Sequence, residues 1–163
     1  MARTDIKAID GSSLQLLDTA KNQKRYPQPS TQRGGCGHPV MGIVGVVNLS
    51  HGGWEGFETF AGRKHDSRVA PKLLKHVHEG DLMLADRAFC TYQFIAQLRA
   101  KKAHVVMRLH QSRHRKLDWR RGKKVSPIER LVTWAKSKNP PAGSDLNQEE
   151  WDQLPDESKR HVE

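Results

Sequence analysis

The order of apolar and polar positions divides the chain into a patterned first two-thirds and an irregular remainder. Residues 4–18 (TDIKAIDGSSLQLLD) alternate at Ile6, Ala8, Leu14 and Leu16, with an Asp-Gly turn signal between the pairs. This predicts a strand ending near Asp10, followed by a bend or a second short strand. Residues 19–39 are rich in Pro, Gly, Gln, Ser and Lys and read as one long loop, a length that is often functional inside a compact domain. Val40 to Leu49 (VMGIVGVVNL) is the most strand-like run of the chain. Gly52-Gly53 then makes a turn and Trp54 to Phe60 alternates again, which predicts a hairpin. Between Ser67 and Val77 the apolar positions Val69, Leu73, Leu74 and Val77 fall at helical spacing, with Gly80 as a stop signal. Asp81 to Ala85 is a short apolar run leading into Asp86-Arg87. Thr91 caps a predicted helix that carries Phe94, Ile95 and Leu98 and ends at Lys101-Lys102, and Ala103 to Leu109 reads as another buried strand. A hairpin followed by alternating helices and strands implies an α/β fold: a mixed sheet with helices against it.

After Leu109 the pattern degrades. Residues 110–124 are mostly basic, with Trp119 among them; residues 131–134 fit one more short strand. Asn139-Pro140-Pro141-Ala142-Gly143 reads as a linker, and the acidic end from Asp145 as a weak helix or tail. The expected organisation is a core over 1–109, a basic region over 110–138, and a Pro-rich linker with an acidic tail over 139–163. Composition supports the split: 26 of the 34 Leu, Ile, Val and Phe residues lie in the first 109 positions. No apolar run approaches the roughly 18 residues of a membrane span, and the N-terminus lacks a signal peptide's apolar stretch. Two cysteines, Cys36 and Cys90, make neither a disulfide framework nor a CxxC site. A soluble intracellular protein is the expectation.

The net charge of +10 changes the picture because it is uneven: +4 over residues 1–100, +11 over 101–138 and −5 over 139–163. A block of this kind attracts polyanions, of which nucleic acid is the commonest, or is a solvated, partly disordered basic segment. Arg108, His110, Arg113, His114, Arg115, Lys116, Arg120, Arg121, Lys123 and Lys124 form a dense phosphate-directed set, of the type that fixes position on DNA without reading its sequence. Trp119 and Trp134 could stack on bases or cover an apolar patch on the core, and the structural reading is favoured.

Two carboxylates suggest chemistry. Asp10 and Asp86 each stand at the predicted C-terminal end of a strand, where open α/β sheets place their ligands. If the strands are neighbours, both carboxylates enter one crevice, and such hard oxygen ligands suit Mg²⁺. The competing reading makes Asp10 a simple turn residue before Gly11. His76 and His78, His65-Asp66 and Cys36-Gly37-His38 hold ligand types without four-ligand metal spacing. Ser12-Ser13 has no G-x-S-x-G elbow, and neither GxGxxG nor a P-loop is present.

The segments AIDGSSLQLLDTAKNQKRYPQP, GCGHPVMGIVGVVNL, GDLMLADRAFCTYQFIAQLRAKKAHVVMRLHQSR and RLVTW together resemble a bacterial insertion-sequence DDE transposase of the IS-four type. The resemblance covers nearly the whole chain, and DGS and LADRAF are its most specific parts. It implies a ribonuclease-H-like fold with a mainly β insertion between the fifth strand and the last catalytic helix. It also implies two Mg²⁺ (or Mn²⁺) ions that activate water for cutting transposon-end DNA, before the freed 3′-hydroxyl attacks target DNA. Carried over by position, Asp10 resembles the first triad acid and Asp86 the second, with Arg87 and Phe89 in the segment around it. The residues from 110 on correspond to the insertion that grips the transposon end.

The sequence departs from that pattern at the third acid. The family places a Glu on a helix with Tyr, Arg and Glu at helical spacing and a following Lys. No tyrosine follows Tyr92, and Glu149, Glu150, Glu157 and Glu163 lack that context. The chain therefore looks like an excised middle, without the closing helix or a separate N-terminal DNA-recognition domain, and is not expected to transpose DNA alone. Two function classes stand: a transposase catalytic domain fragment, and a non-catalytic DNA-binding remnant acting through its basic stretch, in association or competition with an intact transposase. Double-stranded DNA (transposon ends and target) is the expected partner of either, no membrane is expected, and the expected location is the bacterial cytoplasm, at the nucleoid.

Overall fold

In a computed structural model that describes residues 4–61, 65–110 and 122–162, strand β1 (Ile6–Gln15) organises the sheet. On one side it pairs antiparallel with β2 (Val40–Asn48), which continues antiparallel into β3 (Gly53–Ala61). On the other it pairs parallel with β4 (Leu82–Ala85), and β4 pairs parallel with β5 (His104–Met107). The resulting order, β3-β2-β1-β4-β5, is the mixed sheet expected from the hairpin and the strand–helix alternation, and agrees with the ribonuclease-H-like fold that the family resemblance implies.

The Asp-Gly signal does not break β1. The strand runs unbroken through Asp10 and Gly11 because β2 offers an antiparallel partner at every position from Lys7↔Asn48 to Gln15↔Val40. A ladder of backbone hydrogen bonds outweighs a local turn preference. The expected strand end near Asp10 is therefore corrected: only the parallel pairing with β4 stops there, at Ile9↔Ala85. The loop expected over 19–39 contains a short helix, α1 (Ala20–Arg25), capped by the Thr19 hydroxyl accepting from the Asn22 amide.

Residues 67–77 also differ from the expected α-helix. They form 3-10 turns, Asp66–Arg68 and Ala70–His76, bonded i to i−3, as from Lys72 to Val69 and Val77 to Leu74. Pro71 opens the second turn without an amide to donate, and the buried Ala70 and Leu73 sit three apart, which suits a three-residue period. The helix α2 (Tyr92–Ala100) starts as expected at Thr91, whose hydroxyl accepts from the Phe94 amide.

The 3-10 segment and α2 cover one face of the sheet. Ile9, Val44, Val46, Phe60 and Met83 from the strands meet Val69, Leu73, Val77, Phe89, Phe94 and Leu98 there. The opposite face presents Ile6, Trp54, Phe57 and Val106, with Trp54 63% and Val106 59% exposed. Among the described residues no helix is long and apolar enough to cross a membrane.

A second, smaller sheet joins β6 (Lys123–Lys124), β7 (Arg130–Ala135) and β8 (Glu157–Val162) in antiparallel order. The segment read as a weak helix or tail is helix α3 (Gln148–Asp152) followed by β8. An Asn147–Glu150 capping box starts α3. Trp151, 1% exposed, anchors it: its indole donates to the Ser137 carbonyl at 2.8 Å while the ring packs on Tyr92 and Ala96. Trp134 also packs edge-on against Tyr92, at 5.6 Å, in keeping with its structural reading.

Candidate active site

The register of three strands assembles the site. Asp10 follows Ile9, Asp86 follows Ala85 and Arg108 follows Met107, and these three preceding residues are aligned across β1, β4 and β5. Asp10, Asp86 and Arg108 therefore lie side by side, about 4.8 Å per strand step. Side chains alternate across a strand, so Asp10 faces away from the buried Ile9, onto the face left free of α2. The three line one open cavity of 390 Å³ with Ala8, Ile9, Leu84, Ala85 and Val106.

Each carboxylate is held by a backbone amide. Asp10 Oδ1 accepts from the Gly11 N–H at 2.8 Å, and Asp86 Oδ1 accepts from the Ala88 N–H at 2.8 Å. The second contact shapes the turn after β4. Phe89, 1% exposed, pins that turn into the core, and Thr91 then starts α2. Asp86 is thus fixed between a buried strand and a buried aromatic ring, while its own side chain is exposed. Among the described residues no hydrogen bond engages Oδ2 of either carboxylate.

Asp66 is the residue that sequence reasoning set aside. The first 3-10 turn carries it against β1, where a Cβ on Gly11 would collide with its carboxylate. Burial pushes the Asp66 carboxyl above the usual range, and the charges of Asp10 and Asp86 push the same way, against its own backbone amide and His65. Its nearness could not be read from spacing, because the contact depends on how residues 66–76 pack on the sheet. The remaining metal candidates do not line the cavity. His76 gives its carbonyl to Lys7, and His78 lies 3.2 Å from the Lys7 ammonium. Cys36-Gly37-His38 stays in the loop before β2.

Of the described members of the phosphate-directed set, only Arg108 lines this cavity. Lys123 and Lys124 are exposed on β6 of the second sheet. Arg113, Arg115, Lys116, Arg120 and Arg121, with His114 and Trp119, lie outside the described residues. Among the described side chains no Glu lines the cavity, and Glu150 is engaged in its capping box. Among the described residues no three His, Cys, Asp or Glu side chains are grouped to hold a metal ion. The donors present fit a hard, oxygen-preferring ion: two adjacent carboxylates, each with one oxygen fixed and one left, suit a site completed by waters and phosphate oxygens.

Two carboxylates level on adjoining parallel strands of a mixed sheet are an arrangement suited to metal-dependent phosphodiester chemistry. The sequence comparison narrows it: the profile of the family described as "Transposase DDE domain" matches residues 2–142, and the chain belongs to that family. Its members act in DNA transposition and normally use a divalent metal. The fold is similar to that of the piggyBac transposase, solved by cryo-electron microscopy as a synaptic complex with hairpin DNA. That similarity has a TM-score of 0.52 at 12% identity and covers 85% of this chain but 35% of the piggyBac chain. No curated protein matches the sequence.

Proposed function

We propose that this chain is the catalytic core of a DDE transposase of the bacterial insertion-sequence, IS-four type, in which Asp10 and Asp86 hold Mg²⁺ against a DNA phosphate. The observation that carries the reading is the alignment of Asp10, Asp86 and Arg108 at one level of adjoining strands, in one open cavity. When bound, a divalent ion lowers the pKa of an attacking water and takes up charge on the leaving oxygen. The Gly11 and Ala88 amides hold the two carboxylates in place, so that little ordering remains for binding to impose. Arg108 presents a planar guanidinium beside them, suited to two parallel hydrogen bonds with a phosphate.

Among the described residues two acids line this cavity, where the family's site uses three. Loss of an essential member of a catalytic group costs orders of magnitude in rate, so the chain alone cuts and joins DNA poorly or not at all. The second reading, a non-catalytic DNA-binding remnant, draws on the exposed Lys123 and Lys124 and the basic run before them. Metal binding separates the two. Titration of Mn²⁺ into the purified chain, followed by its paramagnetic resonance signal, should show binding that Asp10→Asn and Asp86→Asn each abolish. Binding indifferent to both changes, or none in the parent chain, would sink the catalytic reading and leave DNA affinity as the function.

A further inference from the structure

We propose that α1 is a second DNA-backbone contact, built on the same sheet face as the carboxylates and distinct from the basic run after β5; this rests on the DNA reading above. Lys21, Lys24 and Arg25 stand at i, i+3 and i+4, which places three cations on one side of the short helix, and all three are exposed. Among the described residues no carboxylate pairs with any of them. Arg33 adds a fourth exposed cation on the same loop, which over residues 16–39 holds Asp18 as its single acid.

The loop is fixed in place, so the cations are presented and not merely tethered. Its neck closes with the Leu16 amide donating to the Pro39 carbonyl at 2.9 Å. The Gln28 side chain ties its far end: Oε1 accepts from the Gly35 and Gly37 amides and Nε2 donates to the Gln32 and Arg33 carbonyls. Contacts already ordered in the free protein cost less to bring to a ligand.

The position relative to the site follows from Tyr26, the residue after α1. Its hydroxyl shares a hydrogen bond of 3.3 Å with the Thr59 hydroxyl on β3. Thr59 aligns with Ile43 and Ser12, the row two residues beyond Asp10 on the same face. Two strand spacings and two residue rises put Thr59 roughly 12 Å from Asp10 in the sheet. The cations thus lie about one helix diameter further, within reach of phosphates some three to six nucleotide steps of about 3.4 Å from the one at the carboxylates.

The test is the salt dependence of binding of a short DNA duplex to the full chain, read by fluorescence anisotropy. The triple variant Lys21→Gln, Lys24→Gln, Arg25→Gln should lower the slope of log K against log salt by about 2 to 3 and affinity near 0.15 M salt on the order of 100-fold. A charge-matched control, Lys72→Gln, Lys75→Gln, Lys102→Gln, removes exposed cations associated with the covered face and should change the slope far less. Circular dichroism and Mn²⁺ titration of both variants, unchanged from the parent, separate contact loss from unfolding and leave the carboxylate site as its own readout. Equal losses in the two triples, or none in either, would overturn the α1 contact while leaving the metal site standing. A parent chain that binds no duplex at low salt would overturn this contact and the DNA reading together.

Discussion

Lys7 and Asp10 stand three residues apart on β1, carry opposite charges, point to opposite faces of one sheet and meet opposite fates. Lys7 is 1% exposed and fully engaged: its ammonium lies 2.8 Å from Asp81 Oδ2, donates to the His76 carbonyl at 2.8 Å and sits 4.0 Å from Glu55. Asn48, equally buried, donates to Glu55 and completes the network. Asp10 is exposed, held through one oxygen, and lies beside another carboxylate. The first charge is spent on holding the fold, whereas the second is left available for a ligand. The contrast teaches that a charged residue in a strand is assigned by what packs on its face, not by its identity.

The largest expected effect sharpens that contrast. Lys7→Ala leaves Asp81 buried without its cation and should cost about 3–5 kcal/mol in urea-unfolding experiments, with Asp10→Asn within about 0.5 kcal/mol of the parent. Replacing both partners of the buried pair, as Lys7→Met with Asp81→Leu, should recover most of the loss. A Lys7→Ala protein as stable as the parent would break the comparison. A smaller effect belongs to the turn that carries Asp86: Thr91→Ala removes the α2 cap and should lower stability by about 1 kcal/mol, measured the same way.

The smallest effects are in the pH dependence, where the two regions run in opposite directions. Burial pushes the Asp81 carboxyl up, but the Lys7 hydrogen bond and charge, with the His78 amide, outweigh it and hold the carboxyl below its ordinary value of 3.8. Its contribution is complete above pH 3.8 and is lost as pH falls through the depressed native value. Asp66, raised by burial and by the Asp10 and Asp86 charges, behaves conversely: stability declines as pH rises above 3.8 and through its native value. Asp66→Asn should therefore stabilise the protein at neutral pH and make no difference well below pH 3.8. Denaturant midpoints across that range check both slopes, and an Asp66→Asn gain that persists in acid would place its origin elsewhere.

Much of this was written locally. The alternation from Val40 to Phe60, the cap at Thr91 and the apolar run into Asp86 each specify an element through short-range periodicity and hydrogen bonding, and the hairpin-then-alternation order already implied the mixed sheet. Asp10 and Asp86 are candidates from sequence because each stands at the predicted C-terminal end of a strand. Tertiary structure decided the rest. Pairing with β2 carried β1 straight through an Asp-Gly turn signal, and packing on the sheet turned residues 66–76 into 3-10 geometry and brought Asp66 against Gly11. Lys7 reads in the sequence like any solvent-facing lysine of an alternating strand, and only the cover of His76 and Asp81 makes it a core residue. Strand register brought Asp10, Asp86 and Arg108 level, and register is fixed by partners 76 residues apart between β1 and β4 and 22 apart between β4 and β5, which no local pattern of side chains encodes.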